Sequence, residues 1–530
     1  MINVNNGGLL EIGDDNSPTN NKGVLELLDD SKLIIKNGGT LTINENSKIY
    51  IRDGATLEIR NGSTINVEDY GEIIVADGGK LLLKGETINL NGDNARIDIQ
   101  NGGKVQTADG IDFTFTGEGY INYNEGGIFQ LGTGSVFRLE GADIDDHILS
   151  IRANANLNID DNDVELTNGH IYYYDDASFT SHHNNVTATQ INFEDISGYA
   201  SYAYKCSGTK EAIFDYCTFS GFDNGLLLEN IAVTDITCPA EVSIEHCDFT
   251  DQRGTSIDAY SVSRIDGNAN DVIAKNASIP YGIFAVDVTD FQWRGSTVED
   301  YTSGTGIYIE DVLKFTMKAG TIDNNETGLE SYHSNVFIQN KATIRDNNYG
   351  IYMDGANYSE TDADELSNLV IGDEGCGWII NNTTAGVKGW DIALDIDAIE
   401  HALGDEFPLI NRFDGNGIAF DVCVDDNNTA IADDIDLYYG DGLLARGNYW
   451  KSSGTPTEGV DFEFNYKGGI GHSCDVAISP VDISDYETTQ PSTCSCTLPF
   501  LCTVEHDDIE DVLLRLADNS CDETIPEQGN

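Results

Sequence analysis

The sequence predicts an all-β, single-stranded parallel β-solenoid, and three observations predict it. Apolar residues recur in pairs at an eight-residue step through residues 31–84. Turn-forming residues fill the intervals, with 55 Gly against 9 Pro and 3 Met in 530 residues. Further along, the unit lengthens but keeps a Gly–apolar pair in phase. A chain of this length normally divides into several globular domains. A repeat overrides that expectation, because a solenoid grows by stacking coils around one continuous core.

The first segment, 1–145, carries the regular unit. Its leading apolar positions are Leu33, Leu41, Ile49, Leu57, Ile65, Ile73 and Leu81, and its trailing ones are Ile35, Ile43, Ile51, Ile59, Val67, Val75 and Leu83. One variable residue separates the members of each pair, so both point to the same face of a short strand. Turns such as Asp53-Gly54 and Asn61-Gly62 then bend the chain into the next strand. The register slips at Ile88/Leu90 and resumes at Ile97/Ile99. Two or three units make one coil of about 16 or 24 residues. The phase already runs at Ile2/Val4, where Met1–Asn5 lacks the basic stretch and apolar run of a signal peptide. No cap precedes these strands, so the expectation is a piece of a longer chain, or an end packed on another subunit.

In the second segment, 146–485, Gly followed by an apolar residue recurs at Gly282-Ile283, Gly306-Ile307, Gly328-Leu329, Gly350-Ile351 and Gly386-Val387. The steps from Gly306 to Gly328 and on to Gly350 are 22 residues, and Asn-rich turns such as Asp323-Asn324-Asn325 and Asp346-Asn347-Asn348 precede them. A coil of this form resembles the right-handed parallel β-helix of the pectin-lyase-like superfamily, over roughly residues 200–480. Asn448-Tyr449-Trp450 resembles an Asn-Tyr-Trp-Gly element of such helices, with Lys451 in place of the Gly. The resemblance implies fold and leaves chemistry open. Two insertions are expected: a polar loop over 355–368, and a short helix over 390–404, where Ile392, Ile396, Ile399 and Leu403 fall at helical spacing. The tail, 486–530, is rich in Cys. Its residues Ile509, Val512, Leu513 and Leu516 read as the apolar face of a helix that seals a coil, opens a missing domain or mediates assembly.

The balance of 91 acidic and 28 basic residues, net −63, excludes nucleic acid as a natural partner, since phosphate binding needs clustered Lys and Arg. No run of 18 apolar residues exists to span a membrane. Eleven Cys leave at least one thiol unpaired within the chain. Cys206/Cys217 and Cys238/Cys247 are spaced either for local disulfides or as core filling. The acidic turns Asp160-Asp161-Asn162-Asp163 and Asp425-Asp426 offer oxygen ligands for Ca²⁺, the one cofactor the sequence suggests. His182-His183, and Cys494 and Cys496 with Cys502 and Cys521, lack the usual spacing for transition metals. Catalytic residues are not assigned. The polygalacturonase-like and pectate-lyase-like signatures of the resembling family do not match, and two carboxylates suited to glycoside hydrolysis occur by chance in so acidic a chain.

The expectation is therefore a non-enzymatic, secreted or cell-surface protein acting as an adhesin stalk or filament subunit. Its expected partners are other copies of itself, neighbouring domains or surface glycans. In overall style it resembles the large β-helix cargo of type IX secretion. The alternative is a polysaccharide-binding or polysaccharide-degrading β-helix. Outward aromatic residues would serve that alternative, with Tyr173 (within Tyr172–Tyr174), Trp293 and Tyr349 as candidates.

Overall fold

A computed structural model describes residues 1–483, apart from short gaps and the longer ones at 14–21, 230–240, 356–366, 397–410, 426–442 and 468–475. The tail beyond Ile483 lies outside the described residues, and with it Ile509, Val512, Leu513, Leu516 and the Cys cluster. So does most of the insertion 355–368. Every regular element among the described residues is a strand. No helix there is long and apolar enough to cross a membrane. The chain is an all-β parallel solenoid with two compact units, 1–265 and 266–530.

In the first unit the eight-residue step becomes a three-strand coil. Ile2–Val4, Lys32–Ile35, Thr56–Arg60, Lys80–Lys84, Lys104–Thr107 and Ile128–Gln130 form one parallel sheet. Leu33 aligns with Leu57, Leu57 with Leu81, and Leu81 with Val105, three eight-residue steps apart. The other two strands of each coil stack in the same way, as in Ile49–Ile73–Ile97–Ile121. The slip at Ile88 is a turn one residue short, absorbed between strands, since Ile88 still aligns with Ile65. All fourteen paired apolar residues from Leu33 to Leu83 are fully buried. Each contributes about 2 kcal/mol of transfer free energy, and this repeated burial holds the coil shut. Between Gln130 and Asn156 the first sheet ends and another begins, running Asn156–Asp160, Ser178–His182, Tyr202–Ser207, Leu226–Glu229 and Ile257–Tyr260. Two eleven-residue strands, Asp163–Tyr173 and Asn185–Asp195, supply the rest of those coils.

The most deeply buried carboxylate of this unit among the described residues is Glu58. Glu58, 1% exposed, accepts salt bridges from Lys32, from Arg60 at 2.5 Å and from Lys84 at 3.3 Å. Burial alone would push its carboxyl up. The hydrogen bonds from Lys32, Arg60 and Lys84 outweigh burial and hold it down at about 2.

In the second unit the sheet that matters is Tyr281–Val286, Thr305–Glu310, Thr327–Tyr332, Tyr349–Asp354, Ala385–Trp390 and Ile418–Asp425. Two features explain its sequence signature. First, the Asn of each turn is a rung of a buried ladder. Asn325 Nδ2 donates to Asn347 Oδ1 (3.0 Å), Asn347 Nδ2 to Asn382 Oδ1 (3.1 Å), and Asn382 Nδ2 to Asn416 Oδ1 (3.0 Å). The backbone N–H groups of Asn325, Asn347 and Asn382 donate to the same oxygens. Turn backbone that leaves the sheet ladder is thereby satisfied inside the protein. Second, the glycine before each apolar residue is required by close approach. A Cβ on Gly306, Gly328, Gly350 or Gly386 would lie 2.8, 2.5, 2.4 or 2.6 Å from a carbonyl oxygen of the next coil.

Two expectations are corrected. Residues 392–395 form a strand, not a helix, pairing Ile392 with Ser367 and Leu394 with Leu369. The open ladder of the neighbouring coil satisfies the backbone there and overrides the helical spacing of the apolar residues. The Cys206/Cys217 disulfide does not form: Cys206, Cys217 and Cys247 are buried thiols, as the core-filling alternative expects; Cys217 N–H donates to Cys247 Sγ (3.4 Å) within the core stack, and Cys238 lies outside the described residues. Cys376 and Cys423, by contrast, are disulfide-bonded. Asn448, Tyr449 and Trp450 are buried as one block. Asn448 Nδ2 donates to Ile396 O (2.8 Å), and Trp450 packs against Phe413, Phe420 and Phe462.

Candidate functional site

The Gly–apolar signature also dictates what faces solvent. In each coil the residues two and four places after the glycine point outward from the sheet, because the strand alternates. The register aligns them into two columns. One reads Phe284, Tyr308, Glu330, Tyr352, Lys388, and the other Val286, Glu310, Tyr332, Asp354, Trp390. From Thr305 to Trp390, every coil therefore presents one aromatic and one charged residue, and their order reverses from each coil to the next. Glu330 sits between Tyr308 and Tyr352, and Tyr332 between Glu310 and Asp354.

The rings and carboxylates are tied together. Phe284 stacks on Tyr308 with centroids 4.7 Å apart, and the ladder continues through Tyr332 at 5.5 Å and Tyr352 at 6.2 Å. Tyr308 OH donates to Glu310 Oε2 (2.8 Å) and Tyr332 OH to Glu330 Oε1 (2.9 Å). Thr305 Oγ1 donates to the other oxygen of Glu330 (2.7 Å). Burial pushes the Tyr308 and Tyr332 phenols well above their ordinary range, and the accepting carboxylates push the same way. Both phenols therefore stay protonated and fixed. At the edge of the face, Lys388 Nζ lies 5.8 Å from the Tyr349 ring centroid. Trp390 is 39% exposed, so its indole is open to a ligand. The arrangement can accept hydrogen bonds from hydroxyl groups through Glu310, Glu330 and Asp354 and offer ring edges alongside them.

The first unit carries a smaller acidic cluster on its later sheet. Lys205 Nζ lies 3.4 Å from Glu229 Oε2 and 6.0 Å from the Tyr202 ring centroid. Asp258 and Tyr260 occupy the next strand, in register with Leu227 and Glu229. Burial, then the Glu229 charge, pushes the Asp258 carboxyl up to about 6.

Of the expected glycan-contacting residues, Tyr349 lies on the aromatic face. Tyr173 and Trp293 do not reach any surface, since both are fully buried. In the Tyr172–Tyr174 run the middle ring alternates inward, where its hydroxyl donates to Ala203 O. Its neighbours face out: Tyr172 packs beside His147 and His170, and Arg152 lies 4.2 Å over the Tyr174 ring. Trp293 fills the space left by Gly267, where a Cβ would lie 2.1 Å from its ring. The first of the two acidic turns expected to offer calcium ligands lies between the strands Asn156–Asp160 and Asp163–Tyr173. Asp160 accepts a hydrogen bond from Asn158 (2.8 Å), and Asp163 caps the backbone N–H of Asn185 (3.0 Å). Asp160, Asp161 and Asp163 are not among the groups whose ligand atoms lie within 4.8 Å of one another. Asp425 ends a strand and its side chain lies outside the described residues, as do Asp426 and His183. Glu310, Glu330, Tyr308, Tyr332, Tyr352 and Trp390 were missed by sequence reasoning. Counting two and four places on from each Gly would have found them.

Residues 184–342 match the family described as "Right handed beta helix region". With the parallel ladders above, that match makes the fold a right-handed parallel β-helix, consistent with the pectin-lyase-like superfamily. No curated protein matches the sequence. The solved structures to which the chain is similar, at low identity, include these two. The TibC-catalysed, hyper-glycosylated TibA fragment is 14% identical over 58% of this chain and 92% of that one, with a TM-score of 0.22. Tailspike protein 3 of bacteriophage CBA120 is 9% identical over 88% of this chain, with a TM-score of 0.22. This chain spans 58% of the tailspike chain.

Proposed function

We propose that this protein is a non-enzymatic, extracellular or cell-surface β-helix that binds polysaccharide along the outward face running from Phe284 to Trp390. The observation that carries the reading is the pair of aromatic and carboxylate columns on that face. Carboxylates held by tyrosyl hydroxyls accept hydrogen bonds from sugar hydroxyls without first having to be ordered. Three acids on the face, within a chain of net charge −63, favour neutral or amine-bearing glycans over uronate polymers. The disulfide-bonded Cys376 and Cys423 support an oxidising compartment. The test is titration of the full chain with neutral, amino-sugar and uronate polysaccharides, repeated with Tyr332→Ala and Trp390→Ala. A tenfold or greater loss of affinity in each variant, with unchanged circular dichroism, supports the face. Wild-type affinity in both variants sinks it.

A hydrolytic second reading rests on one observation, the Asp258 carboxyl that burial raises to about 6, since glycoside hydrolysis uses a carboxylic acid whose proton is held toward neutral pH. New reducing ends released by the wild type, and lost in Asp258→Asn, would favour it over simple binding.

A further inference from the structure

We propose that the chain carries two transition-metal sites, each clipping one coil to the next through one imidazole and two carboxylates. One is Glu310, Asp311 and His333; the other is Asp215, Glu245 and His246. In each, one ligand atom from every residue lies within 4.8 Å of the other two. These are the two such groups among the described residues, and neither was visible from sequence spacing. The members stand 22 and 31 residues apart and meet only because coils stack.

The two sites sit in different units and on different sheets, and each combines strand-end residues with left-handed turn residues of two successive coils. Glu310 ends Thr305–Glu310, and Asp311 and His333 are the left-handed turn residues (φ 53° and 46°) of two stacked coils. The Asp311 N–H donates to Tyr332 O (3.1 Å) and sets the coil spacing. In the first unit, Asp215 and Glu245 end register-paired strands, and His246 follows in the same left-handed conformation (φ 52°). In both sites the imidazole Nδ1 stands 3.4 Å from an aspartate oxygen of the coil before. The His246 ring is further fixed by lying flat on Tyr216, with centroids 4.5 Å apart. What the two clusters share is an imidazole at a left-handed turn position beyond a strand end, 3.4 Å from an aspartate oxygen of the preceding coil, with a second carboxylate beside the pair.

The donor set decides the class of ion. Ca²⁺ takes six to eight oxygens and gains little from an imidazole. One nitrogen and two carboxylate oxygens suit Zn²⁺, Cu²⁺ or Ni²⁺, with a remaining position for water. The two carboxylates cancel the dication's charge, and binding across coils ties successive turns of the solenoid together. The site at Asp215, Glu245 and His246 shares no residue with the glycan face, whereas the site at His333 shares Glu310 with it, so loss of glycan binding and loss of metal binding are separable at His246.

The experiment is Zn²⁺ titration of the full chain by calorimetry, with Cu²⁺ electron paramagnetic resonance to detect nitrogen coordination. Expected are two saturable equivalents that His333→Ala and His246→Ala each reduce by one, while a hundredfold excess of Ca²⁺ displaces neither. Asp311→Asn, which keeps the shape of the turn, should weaken the first equivalent at least tenfold. Zn²⁺ should raise the melting temperature of the wild type and not that of the double His variant. Stoichiometry unchanged in both single His variants, displacement by Ca²⁺, or the absence of saturable binding at micromolar metal would each overturn the proposal.

Discussion

Replacing Asn347 by Ala tests whether the asparagine ladder holds the second unit together. Asn347 is fully buried, and its side chain makes four hydrogen bonds. Its Oδ1 accepts from Asn325 N–H (2.8 Å) and from Asn325 Nδ2 (3.0 Å). Its Nδ2 donates to Asn382 Oδ1 (3.1 Å) and Ile322 O (3.3 Å). Alanine removes all four and leaves the Asn325 backbone N–H buried without an acceptor. An orphaned buried donor costs about 1–3 kcal/mol, and each further lost bond about 1 kcal/mol. The expected total is roughly 5 kcal/mol. Asn348 is the internal control, one residue along in the same turn. Its Nδ2 donates to Glu326 at an exposed position, so Asn348→Ala should cost under about 1 kcal/mol. Urea denaturation of the full chain would give the difference in midpoint. Amide exchange at Asn325, which should accelerate by two or more orders of magnitude in Asn347→Ala alone, would locate it. Equal effects of the two substitutions would refute the ladder as a source of stability.

Two pH-dependent predictions follow from carboxyls shifted in opposite senses. Glu58 is held near 2 against an ordinary 4.5, so its contribution of about 3 kcal/mol is present above pH 4.5 and fades as pH falls through 2. The stability gap between wild type and Glu58→Gln, measured by denaturation at pH 7 and pH 2.5, should therefore narrow in acid; a constant gap would contradict the three-cation account. Asp258 is raised to about 6 against 3.8, so its ionisation opposes folding and stability falls as pH rises through that interval. Asp258→Asn should stabilise the protein by about 2 kcal/mol at pH 7.5, with the advantage gone by pH 4. A variant less stable than wild type at pH 7.5 would show that Asp258 is paired rather than desolvated.

The inward half of this protein was legible because burial is repetitive. Leu33, Leu57, Leu81 and Val105 face the same environment coil after coil, so period-two alternation and the eight-residue step report directly on the core. The glycines at 306, 328 and 350 were legible for a related reason, since one backbone approach recurs in each coil. Legibility failed where a tertiary neighbour changed the outcome of a local pattern. The helical spacing across Ile392 and Ile396 gave way to an available strand edge. Three adjacent tyrosines must straddle both faces of a strand, and the structure puts Tyr173, the middle one, inward; Trp293 likewise falls on the inward face, and both are core residues. Cys217 and Cys247 suggested local disulfides by their spacing to other cysteines, but the coil instead stacks them on one another as buried thiols.

These failures share a cause that also says where function should be sought in such a chain. A solenoid sequence carries two interleaved patterns. The inward one is constrained by packing, repeats, and specifies the fold. The outward one is free of packing, so it shows no period in a single sequence and looks like noise between apolar residues. Yet parallel register turns each outward position into a column whose members lie about 4.8 Å apart. A ligand therefore meets residues separated by 22 in sequence as immediate neighbours, as Glu310 and Tyr332 are. The aromatic and carboxylate face and both histidine–carboxylate clusters have this property: each is scattered along the chain and contiguous across coils. The columns become readable once the inward repeat has fixed the register, and outward residues can then be weighed by what stands above and below them.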